Sequence, residues 1–363
     1  MLKNICVLAT VTILLISCED ENESNQTDYY TYNCEEYAVE NTNKLKDVRF
    51  FAYQIQDISD EDRLDELVES KYDLVVIEPT RTDVTGDAGF NTREAVRKLK
   101  ASKGHDGITP KKVIAYIDIG EVEDWRWYWS WSKVEWEAGA RRPSDWPEFI
   151  VKPDPDGWTG NYPVAYWDET WKDIVIYGQN TVNPYGDYRS ILDEVIIDEF
   201  DGVYLDWVEG YADPDVAALA NTAGLNASRE MMLFIKEIQA YGLGRNPRFI
   251  VIQQNAAELI DHQPEIVNYI NGIAQEGVWL DGFGGFDDWE DPEGYDVLNE
   301  VDLTNYYLTH LEKYQKAGLP VWCVEYALNK VDEAYSFAEE YCFVPYCTRR
   351  SLAKITTTHP PGY

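Results

Sequence analysis

Histidine is scarce in this 363-residue chain, with four copies, and methionine is scarcer, with three. No histidines cluster and no CxxC pair occurs, which argues against a structural zinc site. Basic residues are also few. The 31 Lys and Arg stand against 66 Asp and Glu, for a formal net charge of -35. Such a field repels phosphate and argues against a nucleic-acid partner. It suits a cationic partner, although an acidic surface that keeps a protein soluble is the commoner explanation. No Gly-rich turn follows the first apolar run, as a dinucleotide-binding fold would need, and no serine or cysteine stands in a nucleophile context. What is abundant is apolar and aromatic side chain, at 45% and 14%, enough to exclude a mainly disordered protein.

The one long apolar run opens the chain, "MLKNICVLATVTILLISCED". It reaches only to Ile16, too short to span a bilayer comfortably, and reads as the core of an export signal. "LISC" resembles the lipobox of bacterial lipoproteins, which implies a signal peptide over 1–17 and lipidation of Cys18. Loss of residues 1–17 removes one charge, Lys3, so -35 becomes -36. Residues 18–47 are polar and acidic and read as a tether. The acidic run after Cys18 resembles surface-export signals, which implies a place on the cell envelope, at the outer membrane or cell surface, with the leaflet left open. With Cys6 in the signal and Cys18 lipidated, Cys34, Cys323, Cys342 and Cys347 remain. Export permits disulfides, and the short Cys342 to Cys347 loop is one candidate pair.

From residue 48 to 350 short apolar runs alternate with amphipathic stretches. Candidate strands lie at 48–56, 72–79, 112–121, 201–208, 248–256, 272–279, 320–327 and 343–349. Between them apolar residues recur at helical steps. Eight nearly continuous apolar strands alternating with helices indicate a parallel sheet covered by helices, and eight is the number that closes a (β/α)8 TIM barrel. The expected organisation is one domain over 48–350 with a long Trp- and Pro-rich insertion after the third strand, and a tail at 351–363.

In a barrel the active site gathers at the C-terminal ends of the strands. Those ends supply Tyr53, Glu78, Asp118, Glu121, Asp206, Asn255, Glu276, Glu325 and Tyr326. A ring of acids with few histidines suits glycoside hydrolysis, in which one carboxyl protonates the leaving oxygen and a second serves as nucleophile or base. Gathered like charges also help one carboxyl keep its proton near neutrality. The same acids could ligate a divalent metal, so a metal-dependent hydrolase is an alternative, though no loop has a dedicated calcium pattern. "EDWRWYWSWSKVEW" adds Trp125, Trp127, Trp129, Trp131 and Trp136; if extended, the first four share a face. Most are expected to pack the insertion, while Trp125 or Trp167 stacks on a sugar. Arg126 and Tyr166 complete the candidate substrate contacts.

"YIDIGEVEDWRWYW" (116–129), "WTGNYPVAYWDETWKDIV" (158–175), "EFDGVYLDWVEGY" (199–211) and the later "QQN", "QEGVW" and "VEYA" segments, in this order, resemble glycoside hydrolase family 114, the endo-α-1,4-polygalactosaminidase-like barrels. The resemblance implies hydrolysis of α-1,4-linked galactosamine polymers without a cofactor. Its catalytic pair falls on Asp206, the nucleophile of a retaining reaction, and Glu276, the acid/base; Glu258 and Glu325 are alternatives to Glu276. A barrel that binds glycans at the surface without turnover shares all these features.

Overall fold

The runs that become strands are buried on both faces. Leu74–Ile77, "LVVI", exposes no side chain, as a strand must when helices cover its outside and other strands' residues fill its inside. The computed structural model describes residues 34, 37, 39–40, 42–79, 90–179, 188–282, 289 and 296–363. The proposed signal over 1–17 and Cys18 lie outside them.

The strands are β1 (Phe51–Tyr53), β2 (Leu74–Ile77), β3 (Lys112–Asp118), β4 (Gly202–Asp206), β5 (Ile250–Gln254), β6 (Gly272–Glu276), β7 (Val321–Glu325) and β8 (Val344–Cys347). They form one sheet in sequence order, each parallel to the next. β8 returns beside β1. The Phe51 and Tyr346 rings lie 5.6 Å apart, and the N–H groups of Ile55 and Gln56 donate to the Leu352 carbonyl. The chain is therefore a nearly closed (β/α)8 barrel. The strands end sooner than the apolar runs do; β1 keeps only three of the nine residues from 48 to 56.

Polar caps start the helices. Asp60, Asn91, Ser190, Asp213 and Asn226 each accept a backbone N–H in the first turn of the helix that follows. The longest, α1 (Ala227–Arg245), packs Met231, Phe234, Ile235 and Ile238 inward.

The insertion after β3 opens with Glu121–Glu123 paired antiparallel to Asn161–Pro163. Residues 124–128 turn rather than extend, so the four tryptophans do not share one face. Trp129 lies edge-on to Trp146 at 4.8 Å, and Trp146 edge-on to Tyr162 at 4.7 Å. These rings hold the insertion together, and buried Trp171, whose Nε1 donates to the Ile119 carbonyl, fixes it to the barrel.

Two sequence expectations are corrected here. The disulfide joins Cys34 to Cys342, not Cys342 to Cys347. Cys347 is fully buried within β8 as a free thiol, like Cys323 in β7, whereas Cys342 follows the helix α2 (Val331–Glu340). The part of the expected tether from Cys34 onward is also bound to the barrel. Besides the disulfide, Tyr37 Oη donates to Glu312 (2.9 Å), Asn43 Nδ2 to the Asn271 carbonyl (3.0 Å) and Lys44 Nζ to the Phe249 carbonyl (2.6 Å), while Leu45 is buried. Residues 351–363 lie against the barrel too: Tyr363 stacks on His359 and packs on Tyr72.

Candidate active site

Register sets the site. Asp118 ends β3 directly opposite Asp206 at the end of β4, and Tyr116 pairs with Tyr204 two residues earlier, on the same face. Tyr116 Oη accordingly reaches Asp206 Oδ2. The other oxygen, Oδ1, accepts the Trp207 N–H at 2.7 Å. Trp207 itself lies in the left-handed region, φ 55°. Backbone of this kind is strained for a large side chain and persists only when its surroundings force it. They do so through two glycines: a Cβ on Gly120 would come 2.3 Å from the Trp207 carbonyl oxygen, and one on Gly210 would come 2.5 Å from its ring.

Glu276 ends β6. Its Oε1 accepts from Tyr326 Oη and its Oε2 from Asn255 Nδ2 at 2.9 Å. Asn255 Oδ1 in turn accepts the Glu276 N–H at 3.0 Å and Gln275 Nε2 at 3.1 Å. Asn255 has φ 55°, a conformation asparagine tolerates better than most residues.

Two buried tyrosines, at the end of β1 and within β4, pack together. Tyr53 and Tyr204 have ring centroids 5.0 Å apart, and Tyr53 Oη donates to Gln254 Oε1 at 3.3 Å. Burial raises both phenols well above their ordinary range, and the charges of Glu276 and Asp206 raise them further. Asp206, half-buried, is pushed up to about 7, by burial first and then by the Glu276 charge, against the hydrogen bonds from Tyr116 and Trp207. The Asp206 carboxyl thus takes up a proton near neutrality.

Glu209, on the single turn Val208–Ala212 after β4, is a third acid at this mouth. Burial raises it well above the carboxylate range and the Asp206 charge adds to this, with smaller effects from Glu276 and Glu258. Tyr116, Tyr204 and Glu209 were not singled out from the sequence. The signal for the tyrosines was the repeated Tyr-x-Asp of "YID" and "YLD", which puts each ring on its acid's face.

The other candidates divide. Asp118 accepts the N–H groups of Gly120 (3.0 Å) and Glu121 (2.8 Å), and is raised by burial and by Asp206. It shapes the turn beside Asp206. Glu121 is buried and accepts from Asn161 Nδ2, tying the insertion's hairpin. Arg126 is clamped between Glu123 and Glu78, with its side chain 10% exposed. It does not pair with Asp206, because two nearer carboxylates occupy it. Glu325 is fully buried. Its oxygens accept the N–H groups of Val278, Trp279 and Leu280 at 3.2, 3.1 and 2.8 Å, so it anchors the loop after β6 and is not a substrate contact. Tyr166 is also fully buried and donates to the Ala227 carbonyl at 2.7 Å, which corrects its assignment to substrate. Half-buried Trp167 packs edge-on against it, 5.1 Å away, and half-buried Trp125 lies against Gly160 in the insertion. Among the described residues no three His, Cys, Asp or Glu side chains form a group that could hold a metal ion.

Asp206 and Glu276 are thus two half-buried carboxylates on strands separated by one neighbour, each fixed by two donors, and the chain that carries them is similar to known proteins. An uncharacterised protein of Deinococcus radiodurans is 30% identical over 82% of this chain and 80% of its own length. Another, from Methanocaldococcus jannaschii, is 29% identical over 87% and 80%. The glycoside hydrolase domain of PelA from Pseudomonas aeruginosa superposes with a TM-score of 0.51 at 17% identity, over 84% of this chain and 95% of that one. Ega3 of Aspergillus fumigatus, solved in complex with galactosamine, gives 0.52 at 14% identity, over 85% and 93%. At these identities the two solved structures share the fold. The model of glycoside-hydrolase family GH114 matches residues 35–359, from the segment bound by the disulfide through the last strand. The chain belongs to that family and is a glycoside hydrolase.

Proposed function

We propose that this enzyme cleaves α-1,4-linked galactosamine-type polysaccharide by a two-carboxylate retaining mechanism, with Asp206 as nucleophile and Glu276 as acid/base. The observation that carries the reading is the placement of the two acids: Asp206 ends β4 and Glu276 ends β6, one strand apart at the same rim of the barrel. In this mechanism Glu276 protonates the leaving glycosidic oxygen while Asp206 attacks the anomeric carbon. Water then enters, Glu276 takes its proton, and the glycosyl bond to Asp206 breaks.

The substrate follows from charge. Asp206, Glu276 and Glu209 meet at one mouth in a protein of net charge -35, and galactosamine carries an ammonium when it is not acetylated. A nearby cation favours the ionised form of a carboxyl. A bound aminosugar therefore draws the proton off Asp206 and leaves the attacking form. The galactosamine held by Ega3 agrees with this choice.

Export and a lipid anchor at Cys18 on the cell envelope belong to the same proposal, supported by the apolar run ending at Ile16 and by "LISC". Palmitate labelling of wild type, lost in Cys18→Ala, tests that part.

The substrate test is reducing-end release from de-N-acetylated and from fully N-acetylated α-1,4 galactosamine polymer. Release from the first, falling with added salt, is the expected result. Binding without release from either polymer would instead make the protein a surface glycan-binding barrel.

A further inference from the structure

Arg350 lies just past β8, outside every group assigned so far. Its Cζ sits 4.5 Å from the centre of the Tyr326 ring. Its Nε donates to the Gly282 carbonyl at 2.7 Å, and its Nη2 binds the Asp281 carboxylate. Asp281 belongs to the short antiparallel pair Leu280–Asp281 with Val297–Leu298, immediately after β6. The guanidinium is thus held on one side by the loop that follows Glu276, and lies with its charge over the phenol that donates to Glu276.

We propose that Arg350 is a positioning residue for Glu276, acting through Tyr326; this rests on the role given to Glu276 above. A planar cation over the ring face restricts the ring to one orientation, and its field makes the phenol a stronger donor. Both effects direct the Tyr326 hydroxyl at Glu276 Oε1 and fix the rotamer of the acid. Burial works against the Arg350 charge, but Tyr326, Asp281 and Glu276 outweigh it and hold the guanidinium's pKa above its ordinary value. A lysine would supply the charge without the planar stacking face.

The test is a double-mutant cycle on kcat and KM with a de-N-acetylated α-1,4 galactosamine oligomer, using Arg350→Met, Tyr326→Phe, the double variant, Arg350→Lys and Glu276→Gln. Arg350→Met and Tyr326→Phe each lower kcat by about 10- to 50-fold with KM nearly unchanged, the second by losing one hydrogen bond to a charged group and the first by misdirecting it. The double variant falls no further than Tyr326→Phe, and Arg350→Lys recovers part of the loss. Arg350→Gln keeps a donor for the Gly282 carbonyl; it replaces Arg350→Met if that variant does not fold, with the same loss expected. Wild-type kcat in Arg350→Met, or losses that multiply in the double variant, would overturn the proposal. An active Glu276→Gln would overturn the underlying reading as well, whereas an inactive one beside an unaffected Arg350→Met removes only the role of Arg350.

Discussion

Asn255 and Glu276 are joined by two hydrogen bonds running in opposite directions: the Asn255 amide donates to Oε2 of the acid, and its carbonyl oxygen accepts the acid's own backbone N–H. The first orients the carboxylate, and the second orients the asparagine that does so. Replacing Asn255 by Ala removes both. It is expected to cost about 10- to 100-fold in kcat, the range for a lost bond to a charged group, with a smaller effect on KM. Steady-state kinetics on an aminosugar oligomer checks this. A loss confined to KM would place Asn255 against substrate and not against the acid.

The pH profile separates the roles of the two acids. Asp206 in the free enzyme is pushed up to about 7 by burial and by Glu276. As nucleophile it must be ionised, so kcat/KM falls as the pH drops through about 7. A cationic substrate favours the ionised form, and the same limb in kcat therefore moves to lower pH. If kcat/KM instead falls as pH rises through that value, Asp206 is the proton donor and the roles reverse.

The same shift predicts a stability difference. A carboxyl whose pKa is raised on folding holds its proton more tightly in the native state, so its contribution to stability falls as pH rises between the unfolded and folded values, here 3.8 and about 7. Asp206→Asn removes this linkage. Its melting temperature relative to wild type is expected to rise from pH 4 to pH 7 and then level off. A difference independent of pH would show that Asp206 titrates normally in the folded protein.

Much of this architecture was legible before any coordinates. All eight strands were, because buried parallel strands read as unbroken apolar runs bounded by Gly, Pro and polar turns. The position of Asp206 and Glu276 at strand ends was legible for the same reason. What strand-end position cannot give is the direction in which a carboxylate points. Glu325 and Glu276 end adjacent strands, yet Glu325 turns under the loop after β6 to take three amides while Glu276 is held by Tyr326 and Asn255. Glu78 and Arg126 neutralise each other for a similar reason: partners 48 residues apart meet only once the insertion folds back. The Cys34–Cys342 bridge spans 308 residues, a pairing that spacing alone does not favour over the short Cys342 to Cys347 loop.

That bridge closes nearly the whole barrel. Replacing Cys34 and Cys342 by Ser is expected to cost about 2–4 kcal/mol of stability, chiefly by releasing a long loop in the unfolded chain. Urea titration of the double variant and of reduced wild type should give matching losses. Cys347→Ser should leave the bridge intact, as shown by unchanged mobility in non-reducing electrophoresis.

Glu325→Ala should behave differently from a substitution at the cleft. It leaves the N–H groups of Val278, Trp279 and Leu280 without their acceptor in a fully buried site. A loss of about 3 kcal/mol or more is expected. Denaturant titration checks it, and an unchanged midpoint would mean that the loop after β6 does not depend on this acid.

The central claim, that Asp206 and Glu276 together perform the chemistry, is tested most directly by single-turnover reducing-end release from an α-1,4 galactosamine oligomer by Asp206→Asn and Glu276→Gln, with binding measured in parallel by calorimetry. The account predicts that each variant binds the oligomer and that each loses at least about a thousandfold in rate. Turnover near the wild-type rate in either one would contradict it.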